Sequence, residues 1–114
     1  MGVPGNNIWR VISITTVMTP DPADINAPFG LFQINDATGV AYYSCATIVP
    51  VSVGGSGVIS FSELNSSGIN FGLFDGGSIG NSCFALGSCT IIVTSAFGTL
   101  PASFTPGLML VEEW

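Results

Sequence analysis

Between Gly57 and Phe97 the chain alternates apolar and polar residues in short runs separated by glycine-rich turns. Ile59 and Phe61 fall on one face of the first run, Ser60 and Ser62 on the other. Ile69, Phe71 and Leu73 alternate with Asn70 and Gly72. Cys89, Ile91 and Val93 alternate with Thr90 and Thr94, and Ile92 makes that run apolar on both faces. A period of two places every second side chain on one face of a strand, the pattern of a half-buried antiparallel sheet. β-branched and aromatic residues dominate these runs, as a pleated surface favours. Asn65–Gly68 and Asp75–Ser78 read as turns, because Gly, Asn and Asp tolerate positive φ. A longer loop is expected from Asp75 to Ser82.

The rest of the chain extends the pattern. Ile8–Met18 predicts a first strand, and Arg10 within it requires one face to meet solvent or an acidic partner. Pro20, Pro22 and Pro28 make Thr19–Pro28 a loop, since proline lacks the amide that a ladder needs. Phe29–Asn35 predicts a strand with Phe32 and Ile34 on one face. Asp36–Gly39 predicts a hairpin turn. Val40–Val53 is a strand that bends or breaks at Pro50, and Gly54–Gly57 is a turn. Leu100–Ser103 turns into a last strand, Phe104–Val111, bulged by Pro106-Gly107. Turn signals roughly every 8 to 14 residues point to an all-β domain. The expected architecture is a single antiparallel β-sandwich or barrel of about 7–8 strands spanning residues 1–114. A jelly-roll-like topology is preferred, with an immunoglobulin-like sandwich next. No repeat of 20 to 50 residues is present by this reading.

Charge limits what such a domain can do. Arg10 is the one basic residue against seven acids; His is absent, and the net charge is −6. Charged residues make up 7% of the chain, against about 25% in ordinary soluble domains. The surface must therefore be built from Ser, Thr, Asn and backbone. Nucleic acid is excluded as a direct partner, because phosphate binding needs a basic patch. Residues 37–62 and 76–111 carry no charge and are long enough to span a bilayer as helices. Pro50, Gly54–Gly57, Pro101 and Pro106 interrupt them, no cationic flank sets a topology, and alternation with Ser and Thr suits strands. Membrane insertion is not expected. Met1–Trp9 has neither the basic start nor the apolar core of a secretory signal, which predicts a mature chain or one that assembles inside a cell.

The residues argue against an enzyme. General acid–base chemistry would rest on carboxylates alone. Asp36, Glu63 and Asp75 could form a glycosidase-like pair, but they fall at predicted turns and a strand end, where solvated acids are ordinary. The serines have no histidine or lysine to activate them. Calcium could draw on Asp21, Asp24 and Asn26, or on Asp75–Asn81, yet six to eight oxygens are wanted, and structural turns account for both. No metal or other cofactor is expected. Cys83 and Cys89 could form a disulfide if a hairpin brought them opposite one another. Buried free thiols account for them equally, and Cys45 has no third partner.

Four aromatics complete the inventory: Trp9, Tyr42, Tyr43 and Trp114. Rings with a polar tip serve as interface anchors or stack on sugars, and a place in the core or at an interface is favoured over sugar binding. The expectation is a structural, self-assembling subunit whose partners are copies of itself and other structural proteins. A virion protein fits, as capsid decoration, minor capsid protein or tail component on the outer surface, as does a filament subunit outside the cell. A module at the cell surface that binds carbohydrate or a receptor is the alternative.

Overall fold

The computed structural model describes residues 1–47, 49–62, 74–79, 83–105 and 107–114. Among them there is no helix, and so none long and apolar enough to cross a membrane. The strands are β1 (Trp9–Thr19), β2 (Phe29–Asn35), β3 (Ala41–Ala46), β4 (Gly57–Ser62), β5 (Phe74–Ser78), β6 (Phe84–Ala85), β7 (Thr90–Ala96), β8 (Ser103–Phe104) and β9 (Leu108–Glu113). They form two sheets. One is ordered β5-β4-β1-β6, with β8 and β9 also on β1; the other is ordered β3-β2-β7.

β1 is the axis of the larger sheet. Trp9 pairs with both Ala85 and Glu113, and Met18 with both Gly57 and Phe104. A strand has two edges, so β4 and β6 share one edge of β1 while β8 and β9 share the other. The ladder to β9 shifts register between Val11 and Ser13, a bulge that bends the long strand. β8 and β9 follow one another along the same edge of β1, with a break between Phe104 and Leu108. A Cβ on Gly107 would lie 2.0 Å from the Thr15 carbonyl oxygen, so only glycine allows that approach. Thr16 is buried there and donates its hydroxyl to the Thr105 carbonyl at 2.6 Å.

The two sheets meet through the alternation seen in the sequence. Ile59, Phe61, Val11 and Met18 face Phe32, Ile34 and Ile91 in one core. Phe32 stacks on Phe61 across the layers at 5.7 Å. Gly30 lets Ile59 press against the backbone of β2, where a Cβ would sit 2.7 Å from its Cδ1. Fully burying a side chain of this size stabilises by about 1.5–3 kcal/mol.

Several expectations change. The count rises to nine strands among the described residues: two-residue β6 comes from a stretch too short to show a period, and the expected Phe104–Val111 strand is split into β8 and β9, the latter running on to Glu113. The sheets are antiparallel except for one pair: β4 and β5 run parallel. Asp75–Ser78 is thus in a strand, not a turn, because pairing to β4 outweighs the turn preference of its glycines. The Val40–Val53 strand stops at Ala46. There Thr47 is buried; its hydroxyl accepts from Gly30 N at 3.1 Å and donates to Val49 O at 2.9 Å, replacing the ladder. The Asp36–Gly39 turn is present, with Gly39 at φ 89° and Asp36 Oδ1 accepting from the Thr38 and Val40 amides. The Asn65–Gly68 turn, the Ile69–Leu73 alternation, Glu63, Asn81, Ser82 and Pro106 lie outside the described residues.

Candidate interaction surface

The sequence pattern that builds the inner face of β1, β6 and β9 also builds an outer one. Cys83 and Ala85 point into the core, so Phe84 and Leu86 point out. On β9, Met109 and Val111 turn inward, leaving Leu108, Leu110 and Glu112 outside, with Trp114 following in the same phase. Leu108, Leu110 and Trp114 keep 77%, 55% and 69% of their surface exposed. The Trp114 ring meets Phe84 edge-on at 6.4 Å. Its amide donates to Ile8 O at 2.9 Å, and it accepts in return from Ile8 N at 3.3 Å.

Polar groups fix this surface without breaking it up. Trp114 Nε1 donates to Glu112 Oε1 at 2.8 Å, and Trp9 Nε1 donates to Glu113 Oε2 at 2.7 Å. The Trp9 hydrogen bond, with a further one from Asn7, holds the Glu113 carboxyl below the usual carboxylate range. Arg10 Nη1 lies 3.8 Å from Glu112 Oε2, a distance at which an exposed pair contributes little. Tyr42 joins from the smaller sheet: its hydroxyl donates to Phe84 O at 3.0 Å and accepts from Leu86 N at 3.4 Å.

Of the four aromatics singled out in the sequence, Trp114 and Tyr42 lie on this surface and Trp9 anchors it from the inner side. Tyr43 faces the core, edge-on to Phe32 at 5.8 Å, with its hydroxyl donating to Ile79 O at 2.9 Å. Burial pushes both tyrosines up to about 12, which keeps them neutral donors. Phe84, Leu86 and Ile8 were not singled out. The in-out alternation of Cys83-Phe84-Ala85-Leu86 is the signal that could have found the first two.

A groove of about 410 Å³ opens beside this surface, between β9 and β7. Its lining is mostly apolar, including Trp9, Ile14, Ile91, Val93, Met109 and Val111. The groove exists because β9 and β7 are edge strands of facing sheets that do not pair with each other.

The other candidates are held by the fold. Asp24 is buried, and its carboxylate accepts from Thr99 Oγ1 at 2.6 Å and from the amides of Thr99, Asn26 and Leu100. These bonds, the Thr99 hydroxyl foremost, lower its pKa to about 2. The acceptor positions that a cation would use join the loop after β1 to the loop after β7. Asp21 Oδ1 accepts from Ala23 N within the same loop. Among the described residues, no group of three or more potential ligands is placed to hold a metal. Asp36 is lowered by the Thr38 hydroxyl and neighbouring amides of its own turn, the opposite of what a general acid needs.

No disulfide joins the three cysteines, and Cys83 and Cys89 are buried thiols. The segment joining them is no hairpin: Cys83 precedes β6 of the larger sheet and Cys89 precedes β7 of the smaller one. Burial first, and the nearby Cys45 second, push the Cys83 thiol up to about 11, so it packs as a small apolar group.

No protein-family model matches the chain, and neither a curated protein nor a solved structure was found to be similar to it.

Proposed function

We propose that this chain is a structural subunit that assembles with copies of itself and with other structural proteins. One observation carries the reading: the outer face of β9, with the residue that follows it, leaves Leu108, Leu110 and Trp114 more than half exposed on a chain in which only 7% of residues are charged. A lone soluble domain usually has a mixed, charged surface free of such patches. Neutral surfaces approach closely at little cost, since few charges must lose their water. The connectivity is read as jelly-roll-like, because the β2–β3 hairpin of one sheet is inserted between the adjacent β1 and β4 of the other.

A virion is the setting we infer, with the subunit on its outer surface or tail as decoration, minor capsid protein or tail component. A chain of net charge −6 is repelled by a genome, which favours such a position over an inner layer. An extracellular filament uses the same surfaces with an operation that does not close. No catalytic step is assigned to any residue.

Light scattering on the purified protein tests the reading. Assembly gives a mass that is a multiple of the protomer and rises with concentration; a monomer at high concentration removes it. A carbohydrate- or receptor-binding role is the second reading, favoured by Trp114, Phe84 and Tyr42 lying together beside Glu112. A glycan-array screen decides that reading, and binding by a monomer would select it over assembly.

A further inference from the structure

We propose that two copies join edge to edge through β9, antiparallel across a two-fold axis at Leu110, making one continuous sheet and closing the groove. The proposal rests on the self-assembly reading and specifies its contact.

The backbone of β9 supplies the first argument. Trp114 and Ile8 exchange both hydrogen bonds, and Val11 sends its amide away from β9 to Cys83 O at 2.8 Å. Thr105 N bonds Val17 O at 3.0 Å on the β8 side. With the strand's period of two, Met109, Val111 and Glu113 turn their N–H and C=O groups outward from β1. Among the described residues no strand pairs with that edge.

Protected edges are short, charged, interrupted or covered. β7 is covered at its start by residues 1–3, through Val3 N to Cys89 O and Ile91 N to Met1 O. β5 is short, and its sequence is Phe-Asp-Gly-Gly-Ser. β9 instead offers Leu-Met-Leu-Val without a charge before Glu112.

Charge sets the direction in which a second copy pairs, and the apolar Leu108–Val111 run is self-complementary in that direction. A parallel copy would stack Glu112 on Glu112 and Glu113 on Glu113 at a strand spacing of about 4.8 Å. An antiparallel copy centred on Leu110 places Met109 opposite Val111 and Leu108 opposite Glu112. The two Glu112 residues are then four positions apart, roughly 13 Å, beyond the Debye length of about 8 Å at physiological ionic strength. The two-fold stands perpendicular to the sheet, so both inner faces lie on the same side. The two grooves then face each other, and Met109 and Val111 of each copy enclose a lining that one copy leaves open to water.

Substitution to cysteine reads the register directly. Leu110 forms a pair without mutual hydrogen bonds, with Cα atoms about 4.5 Å apart, inside the range for a disulfide. Leu108 and its equivalent are roughly 13 Å apart and cannot be bridged. Under mild oxidation with diamide, Leu110→Cys is expected to give at least about tenfold more covalent dimer than Leu108→Cys or the unchanged chain, whose own thiols set the background. Equal yields overturn the proposal. In a second test, Leu110→Lys sets two like charges opposite one another and is expected to weaken dimerisation at least about a hundredfold by light scattering. Because it reduces the net negative charge, general repulsion cannot explain that loss. If Leu110→Lys still assembles and Leu110→Cys does not cross-link, the β9 contact is wrong and self-assembly stands. If the unchanged chain is a monomer, both fall.

Discussion

The two edge strands that flank the groove, β7 and β9, have met the same problem in opposite ways. β7 is screened by its own chain: residues 1–3 bond to its start, and Ser95 Oγ near its end accepts from Ala102 N at 3.2 Å in the returning crossover. Its run also contains Thr90, Thr94 and Ser95. Among the described residues no segment screens the outer edge of β9, whose first half carries the exposed Leu108 and Leu110. One edge is covered within the chain, while the other has no partner strand among the described residues. An exposed, apolar, unpaired edge invites pairing with another chain, and a small acidic protein that retains one is suited to assembly.

The contrast can be broken by substitution. Gly107→Ala has the largest expected effect. Its Cβ would collide with the Thr15 carbonyl, so the β8–β9 junction must move off β1. We expect a loss of about 1–3 kcal/mol in chemical denaturation, the range of overpacked sites, and a loss of assembly with it. Val3→Ala acts on the other edge. Val3 is buried where residues 1–3 cover β7, and removing its methyl groups should cost about 1–2 kcal/mol with the assembled mass unchanged. If assembly fell instead, the covered edge would be part of the contact.

Asp24→Asn is the smallest change and touches neither edge. Its folded pKa of about 2 lies below the ordinary 3.8. Its contribution is therefore complete above about pH 4 and lost as the pH falls through 2. The variant should show a shallower drop in stability across that window, measured by denaturation at stepped pH, and should assemble as before.

How much of this was legible in the sequence follows from the range of the forces involved. Ile59, Phe61, Phe32 and Ile34 declared their inward faces because a period of two is local. Asp36–Gly39 declared its turn for the same reason. The parallel β5 did not, since Asp75-Gly76-Gly77 has turn chemistry and its strand state depends on a partner. Thr47 ending β3 depends on Gly30, and the Asp24 staple depends on Thr99, far along the chain. The interaction surface was half legible: Trp114 and Tyr42 stood out as aromatics. Phe84 and Leu86 were hidden in a segment read only for its cysteines. The bare edge of β9 was not legible, because no pattern in one strand states who its neighbours are.

Amide exchange at Met109 and Val111, followed by NMR at high and low protein concentration, tests the central claim most directly. The amides of these residues face away from β1, and no strand among the described residues covers them, so an added strand is what would protect them. The account predicts slow exchange at high concentration that quickens on dilution, while the Val11 amide, bonded to Cys83 O at 2.8 Å, stays slow throughout. Fast exchange at Met109 and Val111 at every concentration would contradict it.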